Sequence, residues 1–108
     1  MNPPEKLMKN TYKIIWTDES LKGLKSILDY LEEKWTKREI KKFAKLLDKQ
    51  IGLIQKNPKL FPLSSRSNEV RRSVLSKQTT IYYKVDKNNI YIVSLFDNRR
   101  NPISLNIN

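Results

Sequence analysis

Two apolar stripes with helical spacing follow each other almost without a gap in the first half of the chain. The first stripe has members three and four positions apart: Leu21, Leu24, Ile27, Leu28, Leu31 and Trp35. The second stripe repeats that spacing at Ile40, Phe43, Ala44, Leu47, Ile51 and Ile54. Between them, Thr36 and Glu39 form the T-x-x-E pattern of a capping box, which starts a new helix.

Pro58 ends that second helix, because the residue before a proline avoids helical geometry. Two amphipathic helices joined so closely predict an antiparallel hairpin.

Segments of β type flank the predicted hairpin. Residues 11–16 form a short β-prone run, and Thr17 follows as an N-cap for the first helix. After the hairpin, a connector containing Pro58 and Pro62 leads to three further β-type runs, at residues 69–76, 79–86 and 90–96. We therefore predict an α+β fold with an N-terminal strand, a two-helix hairpin and a three-stranded antiparallel meander. The helices are expected on one face of a curved sheet.

The last β-type run is apolar on both alternating faces. Its two sets are Ile90, Ile92 and Phe96 on one face, and Tyr91, Val93 and Leu95 on the other. Such a pattern is typical of a strand with a neighbour on each side.

The length of 108 residues fits a single domain. We expect that domain to span residues 10–103, between a disordered tail at residues 1–9 and a short C-terminal tail at residues 104–108. Met8 offers a second possible start of translation within the first tail. No apolar run reaches the roughly 20 residues of a membrane-spanning helix, and no secretory signal is present, so we expect a cytoplasmic protein.

The composition excludes several kinds of chemistry. The chain has no cysteine and no histidine, which removes thiolate nucleophiles, disulfides and the usual zinc ligand sets. We expect neither a metal nor a cofactor. The 22 lysines and arginines against 11 acidic residues give a net charge of +11, which attracts polyanions or an acidic protein. The lysine-rich outer face of the second predicted helix is most often an ordinary solvated surface, and the alternative is contact with an acidic partner.

Arginine is concentrated in the second half of the chain. Five of the six arginines lie there: Arg66, Arg71, Arg72, Arg99 and Arg100. The planar guanidinium fork suits phosphates and carboxylates, so we predict target contacts in this half. The residues predicted to make them are Arg71, Arg72, Lys84, Arg99 and Arg100. Neighbouring strand residues point to opposite faces, so only one of Arg71 and Arg72 can reach a given face. The other is free to pair with Glu69 or Asp97.

The order of motifs along the chain resembles a known family. The series is the strand, the hairpin, N-P-x-x-F-P at residues 57–62, the Arg71-Arg72 strand, I-Y-Y-K-V at 81–85 and D-N-R-R-N-P at 97–102. It resembles the RelE/ParE toxins of type II toxin–antitoxin systems, especially the ParE-like branch, from Tyr12 to about Pro102. The resemblance implies a growth-inhibiting toxin of a plasmid stabilisation module. It also implies a cognate antitoxin, here expected to be acidic, and a toxin–antitoxin hetero-oligomer.

The same resemblance leaves the target open between two branches. RelE-like members cut messenger RNA on the ribosome, whereas ParE-like members act on DNA gyrase without an established nuclease chemistry. This chain has no histidine, has Thr79-Thr80 where an arginine tends to precede the Y-Y strand, and has no tyrosine after Arg100. If it is an endoribonuclease, its catalytic set must come from Arg71, Arg72, Lys77, Tyr82 and Arg99.

We therefore favour ParE-like inhibition of gyrase, and whether the chain is an enzyme stays open. The alternatives are a RelE-like endoribonuclease and a non-catalytic basic nucleic-acid-binding module. Tyr82 could stack on bases in either alternative, although aromatic side chains in strands more often pack in a core.

Overall fold

The computed structural model describes residues 12–65 and 67–98 of the chain. Its elements in chain order are β1 (Lys13–Trp16), α1 (Asp18–Lys34), α2 (Lys37–Lys56), β2 (Val70–Val74), β3 (Thr79–Asp86) and β4 (Asn89–Asp97). The predicted order of strand, helical hairpin and three strands is confirmed. The tails expected at residues 1–9 and 104–108 lie outside the described residues.

Both helices begin at threonine caps, as the sequence predicts. The Thr17 hydroxyl accepts a hydrogen bond from the amide of Ser20 at 3.1 Å. The Thr36 hydroxyl accepts one from the amide of Glu39 at 3.4 Å. Each bond satisfies an amide that the first turn of a helix leaves unpaired. Thr17 also donates to the carbonyl of Ile92 at 2.8 Å, so this cap fixes the start of α1 against β4.

The four strands form one sheet in the order β1-β4-β3-β2. The meander β2-β3-β4 is antiparallel, as predicted, and β1 pairs with β4 in parallel. β4 therefore has a neighbour on each side, which its two apolar faces indicated. β3 and β4 are joined by a tight turn at Lys87 and Asn88, where Lys87 adopts a left-handed conformation with a φ of 57°.

A β-bulge interrupts the alternation of β4. Tyr82 pairs with Ser94 but Tyr83 pairs with Ile92, so Val93 is an extra residue on the β4 side. Beyond the bulge the faces exchange, and Leu95 is buried while Phe96 turns to the opposite face. The prediction that Phe96 shares a face with Ile90 and Ile92 is wrong, because it assumed that side chains alternate without interruption along the whole strand.

The core lies between the hairpin and one face of the sheet. Its buried apolar members are Ile27, Leu31, Leu47, Ile54, Leu75, Ile81, Tyr83, Ile90, Ile92 and Leu95. Gln50 of α2 donates to the Ser73 hydroxyl of β2 at 2.6 Å, which attaches the second helix to the edge of the sheet. Within the described ranges, neither helix covers the other face of the sheet, and that face carries the candidate site.

Two further properties of the described residues bear on function. Neither α1 nor α2 is long and apolar enough to cross a membrane. Among residues 12–65 and 67–98, no cluster of three or more potential metal ligands is present.

Candidate functional site

The face of the sheet turned away from the helices arranges its side chains in rows across β2, β3 and β4. One row is Arg72, Tyr82 and Ser94, and the next is Val74, Thr80 and Phe96. We call these six residues the outer face. They line a shallow cavity of about 760 Å³, which is closed at one end by the β2–β3 loop and at one side by serines of the connector.

Hydroxyl groups dominate the polar part of this cavity. They come from Ser64, Ser65, Ser67, Ser76, Thr80, Tyr82 and Ser94. Its described cations are Arg72 on β2 and Lys77 on the β2–β3 loop, and no described carboxylate lines it. Hydroxyls donate and accept hydrogen bonds, and a guanidinium binds one anionic group as a fork. Histidine and carboxylates, the side chains that most often act as general bases, are missing from this described lining.

Arg71 lies apart from the outer face. It pairs with the buried Tyr83, and its Nη1 donates to the carbonyl of Phe61 at 2.7 Å and to that of Lys59 at 3.5 Å. These bonds tie the connector between α2 and β2 to the edge of the sheet. The structure thus separates the two adjacent arginines, with Arg71 holding the connector and Arg72 facing the cavity.

The two adjacent tyrosines of β3 are separated in the same way. The Tyr83 ring is fully buried and packs edge to face against Phe61, with 6.5 Å between the ring centroids. The Tyr83 hydroxyl donates a hydrogen bond to the carbonyl of Pro58 at 2.6 Å. Burial raises the pKa of Tyr83 from 10.0 to about 12, and the nearby Arg71 opposes part of that rise. Tyr83 is therefore a structural residue, and Tyr82 is the tyrosine of this pair that faces the cavity.

The remaining predicted contacts lie at the margins of the outer face. Lys84 is on the same side of β3 as Tyr82, in the next row, where it borders a separate hollow that also contains Glu69 and Asp86. Arg99 and Arg100 lie outside the described residues. Asn98 precedes them directly, lines the cavity, and donates from its amide to the carbonyl of Gln78 at 2.9 Å. The chain therefore leaves β4 beside the outer face.

A second concave surface lies on the helical side, and the sequence reasoning did not identify it. Its apolar lining includes Trp35 and Leu46, which are 49% and 42% exposed. Its charged lining residues are Lys42, Lys45, Lys49 and Glu39. We call this surface the hairpin groove. Leu46 was the available signal, because it stands outside the predicted core stripe and lies between Lys42 and Lys49 on the outer face of the helix.

The hairpin groove and the outer face meet at the β2–β3 loop. Ser76 and Gln78 line both surfaces. These two concave surfaces are thus neighbours, although they lie on different layers of the fold.

A helical hairpin packed on one face of a four-stranded sheet is also the fold of known toxins from toxin–antitoxin systems. The toxin–antitoxin system ParDE from P. aeruginosa includes a chain of the same fold, with 17% identity and a TM-score of 0.69 over 82% of this chain and 97% of that one. YoeB from Staphylococcus aureus aligns with 18% identity and a TM-score of 0.56 over 80% and 95%. A YafQ mutant from E. coli aligns with 13% identity and a TM-score of 0.51 over 82% and 94%. At such identities the likeness shows the fold alone.

The family is shown by sequence. The family model described as the ParE toxin of the type II toxin–antitoxin system parDE matches residues 14–102. The chain belongs to this family, and it is the toxin component of a type II toxin–antitoxin system whose partner is an antitoxin. No curated protein sequence matches the chain.

Proposed function

We propose that this toxin inhibits DNA gyrase in the cytoplasm and is neutralised by an acidic antitoxin. The observation that carries the proposal is the chemistry of the outer face. Its cavity offers hydroxyls, apolar side chains and Arg72, but no described carboxylate or histidine that could take a proton from a ribose hydroxyl. A surface of this kind suits binding better than acid–base cleavage of RNA.

In this proposal Arg72 is, among the described residues, the one that makes the main contact with the target. Lys84 contributes from the neighbouring row, and Arg99 and Arg100 contribute from the segment that follows Asn98. Arg71 has a different role, because its guanidinium is bonded to the connector carbonyls. It holds the edge of the sheet that presents Arg72.

One observation favours a second candidate, a RelE-like endoribonuclease. Of the five residues in the predicted catalytic set, Arg72, Lys77 and Tyr82 line the same cavity. Arg71 does not join them, and Arg99 lies outside the described residues. A guanidinium, an ammonium and a phenol are groups that can stabilise a phosphate and move protons. The two candidates therefore make opposite predictions for the same purified protein.

The antitoxin is proposed to bind the hairpin groove with an acidic amphipathic segment. Trp35 and Leu46 provide exposed apolar surface, and the three lysines around them attract carboxylates. The net charge of +11 favours the same kind of partner. This groove shares Ser76 and Gln78 with the outer-face cavity, whereas Trp35 and Leu46 line the groove and Arg72 lines the cavity, so the proposed anchors for antitoxin and target are different residues.

Two assays on the purified toxin test the proposal together. One follows supercoiling of relaxed plasmid by DNA gyrase, and the other follows cleavage of messenger RNA on translating ribosomes. We expect supercoiling to stop in proportion to the added toxin while the messenger RNA stays intact. Cleaved messenger RNA with normal supercoiling would show that the RelE-like alternative is correct. If expression without antitoxin left growth unaffected, inhibition of an essential target would be refuted.

A further inference from the structure

The outer face has an apolar half that the arginine pattern did not predict. Val74 is 53% exposed, and it lies in one row with Thr80 and with Phe96, which the bulge turns to this face. The polar row of Arg72, Tyr82 and Ser94 runs beside it. The two rows are two residues apart along the strands, a distance of roughly 6.6 Å at the usual rise per strand residue.

This spacing matches an extended polypeptide. Alternate side chains of an extended segment repeat at the same distance of roughly 6.6 Å. One side chain can therefore meet the Arg72 row while the next on the same side meets the Val74 row. The outer face thus offers one site for an anionic group and one for an apolar group, at the spacing of residues i and i+2.

The charges around the cavity argue against a nucleic-acid strand as the occupant. Interfaces with nucleic acids are strongly positive, because each neutralised phosphate needs a lysine or arginine. Most of the described lysines lie on α1 and α2, on the opposite layer, and the cavity itself has Arg72 and Lys77. Two cations and an exposed apolar row fit a segment with one or two carboxylates and apolar neighbours.

We propose that the outer face docks an extended acidic segment of the target protein. This inference rests on the proposed function, because it takes the target to be a protein. A carboxylate of the segment accepts hydrogen bonds from the Arg72 guanidinium. An apolar side chain two residues away packs on Val74 and Phe96, and the Tyr82 hydroxyl bonds the backbone between them.

Two single variants test the two halves of the surface. Val74→Asp places a carboxylate in the apolar row, and Arg72→Gln removes the guanidinium. Both positions are exposed, so both variants should fold, which circular dichroism and thermal unfolding can check. Each has a matched control on α2, Leu53→Asp for the first change and Arg38→Gln for the second, and both control positions are exposed and lie outside the cavity.

The measurements are the affinity for immobilised gyrase and the toxin concentration that halves supercoiling. For each outer-face variant we expect the affinity to fall, and the half-inhibiting concentration to rise, by about tenfold or more, as for a central interface residue. Both quantities should stay within about twofold of the wild type for each control. With so few charge pairs, the wild-type affinity should fall about tenfold or less between roughly 50 and 200 mM salt. A protein with six to ten phosphate contacts would lose about 10³-fold or more.

The possible results separate the inference from the proposed function. If the wild-type toxin inhibits gyrase and both outer-face variants do so equally well, the inference is wrong and the proposed function stands. If the wild-type toxin neither binds nor inhibits gyrase, the proposed function fails and the inference with it. If the wild-type toxin cleaves messenger RNA and the same variants abolish cleavage, the outer face takes RNA instead.

Discussion

Replacing Gly23 with alanine tests the close packing of α1 on the sheet. A Cβ atom at Gly23 would lie 2.6 Å from the carbonyl oxygen of Leu95, a backbone atom that cannot rotate away. Relief to a contact of about 3.2 Å requires α1 and β4 to separate by about 0.6 Å, and overpacking of this kind costs about 1–3 kcal/mol. Alanine regains about 1 kcal/mol through its higher helix propensity. The net effect should be a loss of stability of up to about 2 kcal/mol.

The chain supplies its own control for this prediction, because its two glycines both lie in helices. A Cβ at Gly52 would have nothing within 4 Å, so Gly52→Ala should stabilise the protein by about 1 kcal/mol. Thermal unfolding should show the Tm falling by up to about 10 °C for Gly23→Ala and rising by about 5 °C for Gly52→Ala. If the two variants shifted the Tm equally, the close approach of α1 to Leu95 would be refuted.

Three other predictions concern the separation of structural from binding residues. Arg71→Ala should lower the free energy of unfolding by about 1 kcal/mol and leave growth arrest intact. Arg72→Gln should leave the free energy of unfolding unchanged and abolish growth arrest. Equal loss of toxicity in both variants would contradict these roles. The pKa of Tyr83 is about 12 in the folded state and 10.0 in the unfolded chain, so the folded state holds this proton more tightly. The stability that Tyr83 contributes is therefore fully present below pH 10 and is lost as the pH rises through 12. Urea titrations should show that Tyr83→Phe lacks this decline, and an unchanged decline would assign it to another group. Leu46→Glu should weaken rescue by the co-expressed antitoxin while leaving toxicity unchanged, and full rescue would place the antitoxin elsewhere.

Local signals in the sequence were sufficient for the helices and for the order of the strands. The 3.6-residue period and the caps at Thr17 and Thr36 depend on neighbours within one or two turns, and each is present in the structure. The meander followed from β-type runs separated by short polar turns. These features could be predicted because their energetics are local.

Long-range pairing decided what the sequence left open. β1 pairs with β4, about 75 residues later, and no local signal specifies that partner. The alternation rule placed Arg71 and Arg72 on opposite faces of the sheet, but it did not say which of them faces the helices. That choice follows from the burial of Ser73 against Gln50, which turns Arg71, two residues away, to the same side of β2. The hydrogen bond from Arg71 to Phe61 then holds it there.

The bulge at Val93 changed which apolar side chain at the end of β4 reaches the candidate site. By strict alternation Phe96 belongs to the core and Leu95 to the opposite face. The extra residue moves Phe96 across the sheet, where the partly buried Phe96 and the exposed Val74 lie in one row with Thr80 between them. An apolar row gains little from a phosphate backbone but much from an apolar side chain, so this row favours a protein partner over a nucleic acid. Arg72 is the guanidinium that the described lining of this cavity presents, so we expect the specificity of the surface to depend on one guanidinium and one apolar row.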